Sequence, residues 1–342
     1  MYHELWATPE TCRWGSFDNA APSVLTVASG DIVRVECLSH RAGDIPDLMM
    51  DDGVRRVYEA FSLDARGPGG HIVTGPVVVR GAEPGDALEV RLLAADARLP
   101  YGSNLHARWG LLYNPDRPDN PLQGHEHVTA YRIVGDGVAV AQFQYVYPEG
   151  QMSRKGAWIA PESVFRQPVS ALRVRLRPHM GISGLASADP GPISTIPPGK
   201  FGGNVDNRSF VPGTAMFYPV QVSGGWWWAG DTHFAEGDGE ISGTAIEGHL
   251  NVVVQLLVHK GMPLPSPVLE TADGWMVHGF GGTLDEAMAD AAINAIRFMD
   301  HRWHIPPRDA YSWLSAAGDF RVTQVVNGTK GAHVLIPKSA PV

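Results

Sequence analysis

The chain has 342 residues, of which 44% are hydrophobic and 18% are charged, and its formal net charge is −9. This composition is typical of a folded globular protein with a substantial core and excludes a disordered chain. The acidic balance, without any basic cluster, argues against nucleic acid and anionic membranes as partners.

Short strands joined by glycine turns are predicted through the first ninety residues. Apolar residues alternate on both sides of Gly30-Asp31, and the arrangement recurs around the turn at 83–86. The chain contains 39 Gly and 27 Pro, a share that favours many short strands connected by tight turns. We therefore expect β-hairpins in this part of the chain.

Loops and strands alternate in the middle of the chain. Residues 98–128 and 178–203 are rich in turn-forming residues and predict long loops. Residues 129–147 and 163–177 predict β-structure between them.

Firm helix signals occur only near the C-terminal end. Thr283 and Glu286 fit a capping box, and the apolar spacing that follows predicts a helix over 283–304, before two prolines. A shorter helix is expected over 308–317, with Gly318 as its end signal.

A final hairpin is predicted around Asn327-Gly328, between strands at 321–326 and 332–336. The elements together indicate a mainly β, α+β fold with a C-terminal helical element. We divide the chain into an N-terminal β-rich portion, 1–177, and a C-terminal β-rich catalytic portion, 178–342. A single intertwined domain is the alternative.

An acidic segment, GDTHFAEGDGEISGTAIE at 230–247, is the strongest functional signal. It contains no Lys or Arg and carries Asp231, His233, Glu236, Asp238, Glu240 and Glu247. Crowded carboxylates repel one another unless a cation or a catalytic task keeps them together. An imidazole among carboxylates is a suitable ligand set for zinc or a similar divalent ion. The structural alternative is a reverse turn beside a capped histidine.

Spacing decides which of these side chains reach one site. Asp231 and His233 are two apart, so a strand directs both toward one cavity. Glu240 and Glu247 are seven apart and reach the same site only if Gly243 bends or bulges the strand.

Other polar and aromatic residues are candidates for the same site. Asn204 and Asp206 lie two apart in GGNVDNR, where an Asx turn is the structural alternative. The run Trp226-Trp227-Trp228 forms either a pocket wall or buried core. His40 and His71 are ambiguous, with surface placement as the default.

The compartment is predicted from cysteines and from the apolar segments. Cys12 and Cys37 show no metal or redox spacing, which fits a reducing cytoplasm. No signal-peptide pattern is visible at the start, and the apolar stretch 250–258 is too short to span a bilayer. We expect a cytoplasmic protein without a membrane partner.

The motifs together resemble the acetamidase/formamidase family of short-chain amide hydrolases. The similarity runs through most of the chain and includes HIVTGPVVVRGAEPGDALEV, PPGKFGGNVDNR, VPGTAMFYPVQVSGG and the acidic segment. It implies jelly-roll-like β-sandwich or barrel portions and a homo-oligomer, a dimer or larger. It also implies hydrolysis of a small aliphatic amide, such as formamide or acetamide, to ammonia and a carboxylate.

The resemblance assigns residues by position. Asn204 and Asp206 match the family's GGN-x-D segment, and the acidic segment supplies the rest, namely Asp231, His233, Asp238, Glu240 and Glu247. Phe201 and Trp226 depart from the family pattern toward bulk, so we place both against the substrate. These departures favour a different amide over a different reaction.

A divalent ion, zinc first with calcium and manganese as alternatives, is our mechanistic hypothesis. Asp231 and His233 bind the ion, and Asp206 or Glu247 completes the ligand set. Glu240 acts as general base and then as proton donor, while Asn204 holds the substrate. In a metal-free alternative, Glu240 and His233 share the proton transfers.

Two other functions are open to the same residues. A non-catalytic, cation-stabilised β-sandwich that binds sugars also combines carboxylates, glycine turns and tryptophans. His233 argues against it, because imidazole is a poor calcium ligand. The second is the same chemistry on a larger amide or another C–N bond.

Overall fold

A computed structural model describes residues 1–113, 119–122, 124–135, 137–148, 151 and 158–339. Within these residues, two large β-sheets make up most of the regular secondary structure, and the long helices lie near the C-terminal end. The prediction of a mainly β fold with a C-terminal helical element is therefore confirmed.

The first sheet has nine strands among the described residues. In spatial order they are β1 (Tyr2–Leu5), β5 (Ile32–Cys37), β19 (Leu250–His259), β7 (Ala87–Ala97), β16 (Ala215–Pro219), β20 (Val268–Glu270), β21 (Gly274–Gly281), β23 (Lys330–Pro337) and β22 (Asp319–Gln324). Neighbours are antiparallel except β1 and β5, which are parallel.

The second sheet has twelve strands in the part of the chain that the structure describes. Eight follow one path: β11 (Gln167–Pro168), β10 (Val138–Val146), β9 (His127–Val134), β8 (Tyr101–His106), β18 (Ile246–Gly248), β17 (Trp227–Ala235), β13 (His179–Gly184) and β15 (Gly202–Asn204). The others branch from it: β12 (Arg173–Arg175), β6 (Ile72–Val79), β2 (Cys12–Trp14) and β4 (Leu25–Val27). A small pair, β3 (Ser16–Phe17) and β14 (Ile193–Ser194), lies apart.

Apolar side chains from both sheets form the main core. Strand β19, with sequence LNVVVQLLVH, alternates buried and half-buried positions, as expected for a strand with one face in the core. Its buried Val252 and Val254 belong to the same cluster as Val77 of β6 and Trp227 of β17. The sheets therefore pack face to face.

Both sheets contain strands from the two predicted portions, 1–177 and 178–342. Strand β19 pairs with β5 and with β7, and β17 pairs with β6. The division into two portions stays a prediction, and residues 114–118, 123, 136, 149–150, 152–157 and 340–342 of it lie outside the described residues.

The predicted hairpin around Gly30-Asp31 is wrong. Strand β4 pairs with β6 in the second sheet, whereas β5 pairs with β1 and β19 in the first. The turn is present, but the two strands that flank it pair with distant strands in different sheets and not with each other.

Strands also occur inside both segments predicted as loops. Within 98–128 lies β8, and residues 114–118 and 123 of that segment fall outside the described residues. Within 178–203 lies β13, whose glycines concealed it from a composition argument. A Cβ on Gly184 of β13 would lie 2.4 Å from the backbone nitrogen of Gly203 in β15, so the close pairing requires glycine.

The C-terminal helices and hairpin are confirmed. Helix α3 (Leu284–Trp303) begins at a Thr283–Glu286 capping box, and α4 (Pro307–Ala317) ends at Gly318. Strands β22 and β23 pair antiparallel across the Asn327-Gly328 turn.

Two helices near residue 50 were not predicted. They are α1 (Pro46–Met49) and α2 (Asp52–Ala60), and the Asp51 side chain caps α2 by accepting from Val54 N. Helix α1 is too short to show a period, but α2 carries a signal that was overlooked, because its buried Val54, Val57 and Tyr58 are spaced at i, i+3 and i+4. No described helix combines the length and apolarity needed to cross a membrane.

Candidate active site

A cavity of about 360 Å³ opens beside the acidic segment. Four of the predicted site residues line it: Asn204, Asp231, Glu240 and Glu247. Glu240 and Glu247 both face it because Gly243, with φ of +93°, turns the chain between them. The chain therefore bends at Gly243, as the seven-residue spacing of Glu240 and Glu247 required for both to reach one site.

Strained backbone coincides with these acidic residues. Asp206, Asp231 and Glu240 all have positive φ, at 53°, 43° and 46°. Non-glycine residues in this region cost about 1–3 kcal/mol each, and they persist where the surroundings hold them for function. The irregular β17 backbone directs Asp231 into the cavity, although the strand is buried along its whole length.

Asp206 and His233 lie behind the cavity wall. His233 is fully buried, with Nε2 3.3 Å from Asp231 Oδ2 and 3.4 Å from Glu247 Oε1. Asp206 accepts a 2.8 Å hydrogen bond from Asn327 Nδ2, and Asn327 itself lines the cavity. One ligand atom from Asp206, His233, Glu236 and Glu240 can be chosen so that all lie within 4.8 Å of one another.

The structure does not bring Phe201 and Trp226 to this cavity. Phe201 packs edge-on against Phe17, with ring centroids 5.5 Å apart, in a separate apolar cluster. Trp226 donates from Nε1 to Ser223 O at 3.0 Å, and its neighbours Trp227 and Trp228 are buried in the core. The substrate-contact role expected for Phe201 and Trp226 has no geometric support.

Two histidines that had been left ambiguous face Asp231 instead. His40 Nδ1 lies 3.6 Å from Asp231 Oδ1, and His71 Nε2 lies 3.9 Å from Asp231 Oδ2. Both line the cavity. His40 follows β5 and His71 precedes β6. Their position at strand ends is the sequence feature that could have predicted a place at the site.

A second imidazole–carboxylate group lies deeper. Glu236 Oε2 is 2.8 Å from His179 Nε2 and 3.1 Å from His233 Nδ1. Gly181 makes this packing possible, because an added Cβ there would lie 2.5 Å from His233 Cε1 and 2.8 Å from Asp206 Oδ1. From the sequence, Glu236 is a member of the acidic segment without a specific role, and His179 carries no signal of its own.

Burial favours the protonated form of two carboxyl groups at the cavity, those of Glu240 and Glu247. Burial, with the negative charges of Asp206 and Glu236 nearby, raises the pKa of Glu240 well above its usual range. Burial, followed by the charge of Asp231, raises the pKa of Glu247 in the same way. Both side chains therefore tend to keep a proton.

Asp231 and His233 shift in the opposite sense. Burial alone would raise the pKa of Asp231, but His71 and His233 outweigh it and lower that pKa well below the usual value. Burial alone would lower the pKa of His233, yet Glu247 and Asp231 hold it well above normal. Asp231 is thus an anion beside an imidazolium.

The cavity histidines, in contrast, are neutral at neutral pH. Burial lowers the pKa of His40 to about 3, helped by His71, and burial lowers the pKa of His71 as well. A neutral imidazole keeps a lone pair that can bind a metal. His71 Nδ1 lies 3.1 Å from Thr195 Oγ1, which leaves Nε2 free to face Asp231.

Several buried polar atoms in the cavity wall and behind it have no hydrogen-bond partner among the described residues. They are His40 Nδ1, Asn204 Oδ1, Asp206 Oδ1, Asp231 Oδ1 and Glu247 Oε2. Protons kept by Glu240 and Glu247 satisfy some of these atoms, since each can donate to a neighbouring aspartate. The remainder are free to bind a ligand.

The acetamidase/formamidase family model matches residues 8–339. The chain belongs to this family. It is 27% identical to the acetamidase of Mycolicibacterium smegmatis, over 91% of the chain and 86% of that relative. It is also 27% identical to the formamidase of Methylophilus methylotrophus, over 81% of the chain and 76% of that relative.

A solved acetamidase from Bacillus halodurans has the same fold as this member of the acetamidase/formamidase family. The TM-score is 0.74 at 26% identity, over 98% of this chain and 97% of that one. The resemblance drawn from the motifs is confirmed, and so is the assignment as an amidase. Family membership argues against the sugar-binding alternative.

Proposed function

We propose that the protein hydrolyses a primary carboxamide, the class of formamide and acetamide, to ammonia and a carboxylate in this cavity. The observation that carries the proposal is one cavity lined by Asp231, Glu240 and Glu247 together with Asn204. The names of the relatives, formamidase and acetamidase, support small amides as the first substrates to assay.

Asn204 is suited to orient the amide. Its Nδ2 donates to Ile196 O at 3.1 Å, which fixes the side chain, while its buried Oδ1 has no partner in the described structure. That oxygen can accept a hydrogen bond from the substrate NH₂ group. An analogue without this donor would leave Oδ1 buried and unpaired, so the contact also supplies selectivity.

Glu240 is suited to carry the proton. Hydrolysis forms a bond from a water oxygen to the carbonyl carbon and breaks the C–N bond, so a proton must pass from water to nitrogen. The raised pKa of Glu240 brings its proton affinity toward neutrality, where it can accept and return a proton. Glu240 also lines a second recess of about 750 Å³.

A divalent ion fits the residues beside the substrate. His40, His71 and Asp231 offer ligand atoms within 4.8 Å of one another, and His40 Nδ1 and Asp231 Oδ1 are buried without partners in the described chain. Two neutral imidazoles and a carboxylate match a catalytic zinc site, with manganese as the alternative; they disfavour calcium, for which imidazole is a poor ligand. Such an ion supplies Lewis acidity and lowers the pKa of its water when bound.

Of the ligand set expected from sequence, this one keeps only Asp231: His40 and His71 take the places of His233 and of the completing Asp206 or Glu247. Asp231 is kept, but His233 is fully buried and the carboxylates around it favour its protonated form, which has no lone pair. We therefore assign His233 the role of countercharge for Asp231. The alternative set of Asp231, His233 and Glu247 has ligand atoms within 4.8 Å as well and is separated by the test below.

The test removes the metal and then individual ligands. After chelation, verified by elemental analysis, we expect ammonia release from formamide, acetamide and propionamide to fall and zinc to restore it. His71→Ala should lower the bound metal per chain, whereas His259→Ala, a partly exposed histidine bonded to Glu89, should not. Loss of metal from His233→Ala but not from His71→Ala would favour the alternative set.

Full activity in verified metal-free protein would leave the metal-free mechanism, in which Glu240 and His233 share the proton transfers. A cytoplasmic location and assembly into a dimer or larger homo-oligomer stay predictions. Light scattering on the purified protein tests the assembly.

A further inference from the structure

The cavity is larger than a small amide requires. Its volume is about 360 Å³. At the roughly 30 Å³ that one water molecule occupies in the liquid, acetamide, with four non-hydrogen atoms, fills on the order of 100 Å³. Most of the cavity is therefore left for another part of the substrate.

Apolar side chains line part of this extra space. Trp109, Tyr147 and Ile196 all contribute to the cavity wall. Arg41 is the one Lys or Arg among the described lining residues, and its guanidinium is already bound twice by Asp44, at 2.9 and 2.6 Å. The wall thus offers hydrocarbon contact and no free positive charge, which favours an apolar group.

Trp109 is held in place by the acidic segment. Its Nε1 donates to Gly243 O at 3.3 Å, and a Cβ on Gly243 would lie 2.1 Å from its Cδ1. The indole therefore packs directly on the backbone between Glu240 and Glu247. Because 38% of Trp109 is exposed, it still has surface to offer a ligand.

Ile196 is coupled to the residue that orients the amide. Its carbonyl accepts the hydrogen bond that fixes Asn204, and its own side chain is 37% exposed. The side chain of Ile196 therefore lies next to Asn204, where it can contact the acyl group of an amide bound to Asn204.

We propose that the preferred substrate is a primary carboxamide whose acyl group is a hydrocarbon of several carbons, packed against Trp109 and Ile196. This inference rests on the proposed amide hydrolysis and names its substrate class. The reaction is unchanged: water adds to the carbonyl carbon, the C–N bond breaks, and ammonia leaves with the transferred proton.

The first experiment is a substrate series with the wild-type protein. Ammonia release is measured for acetamide, propionamide, butyramide, hexanamide and phenylacetamide. We expect kcat/KM to rise by about fourfold for each methylene that becomes buried. A decline from acetamide onward would overturn this inference and leave amide hydrolysis intact.

The second experiment tests the two apolar residues. Trp109→Ala should lower the ratio of kcat/KM for phenylacetamide to that for acetamide by about 10- to 100-fold. Trp109→Phe should restore part of the ratio, and Ile196→Ala should lower it less. Trp6→Ala is the matched control, because Trp6 is a half-exposed tryptophan that does not line the cavity.

The outcomes separate the two proposals. A long-chain preference that survives both Trp109→Ala and Ile196→Ala would place the hydrocarbon elsewhere and overturn the inference. No ammonia from any amide, with metal-loaded and folded protein, would overturn the proposed function and this inference with it.

Discussion

Helix α3 and the cavity wall differ in how completely their polar groups are paired. At α3, Thr283 and Glu286 cap each other, and buried Asn294 donates to both His278 O and Asp290 Oδ2. At the cavity, Asn204 Oδ1 and His40 Nδ1 are buried and have no hydrogen-bond partner in the described residues.

Backbone strain shows the same contrast. The α3 residues have regular helical geometry between their caps, whereas Asp206, Asp231 and Glu240 have positive φ. Hydrogen bonding and backbone geometry are regular at α3 and irregular around the cavity. This difference indicates that stability is given up for function at the cavity. Mutations in the two regions should therefore separate activity from stability.

The largest expected effect is on catalysis. Glu240→Gln should lower kcat/KM by about 10³-fold, or about 4 kcal/mol, because it removes the proton carrier. Below about pH 4.5 the melting temperature should change little, because Glu240 is then neutral in both the folded and the unfolded chain; at higher pH the variant should be the more stable protein. The matched control is Asp238→Asn, an exposed carboxylate of the same segment that should retain activity. Equal activity in both variants would contradict the role of Glu240.

The reverse behaviour is expected in the helical layer. Phe298→Ala, at a buried position of α3 packed on Trp275, should cost about 3 kcal/mol of unfolding free energy. The kcat/KM of the folded protein should stay within twofold of wild type. Urea unfolding and ammonia release measure the two quantities, and a loss of kcat/KM without a loss of stability would break the comparison.

Gly181→Ala should disturb the site from behind. The added methyl would push on His233 and Asp206, so we expect kcat/KM to fall by about 100-fold, close to 3 kcal/mol. Gly237→Ala is the control, because its Cβ would meet nothing within 4 Å. Wild-type activity in Gly181→Ala would show that the deep histidine cluster does not position the cavity residues.

The raised pKa of Glu240 predicts a pH effect on stability. The folded state holds this proton above the ordinary pKa of 4.5, so its stabilising contribution is present at low pH and is lost as pH rises through the folded pKa. Wild type should lose up to about 1.4 kcal/mol more per pH unit above about pH 5 than Glu240→Gln. Parallel urea midpoints across that range would contradict the assignment.

The smallest expected effect is at the helix cap. Thr283→Ala should cost about 1 kcal/mol of stability because it removes the acceptor for Glu286 N, and activity should be unchanged. Thr283→Ser is the control that keeps the cap. A loss of activity in Thr283→Ala alone would mean that the two regions are coupled.

Local signals were read correctly from the sequence, and long-range pairings were not. The capping box of α3 and the Asn327-Gly328 turn are encoded within a few residues, so both were predicted. The partners of β4 and β5 lie in different sheets, which no turn signal encodes. Strand β13 was missed because its glycines are needed for close contact with β15, a long-range pairing that the sequence alone does not reveal.

The candidate site shows the same limit. Asp231, Glu240 and Glu247 come from one segment, so their clustering was foreseeable from composition. His40 and His71 reach Asp231 only through the pairing of distant strands, and each was ambiguous alone. Phe201 and Trp226 are conspicuous as sequence, but packing directs them away from the cavity.

The Asn327-Gly328 turn has a consequence for how the enzyme is made. It lines the cavity, and Asn327 donates to Asp206, while His40 comes from the opposite end of the chain. A nascent polypeptide on the ribosome therefore has no complete centre until residue 328 has emerged. Under the proposed site assignment, we expect no amide cleavage from shorter translation products.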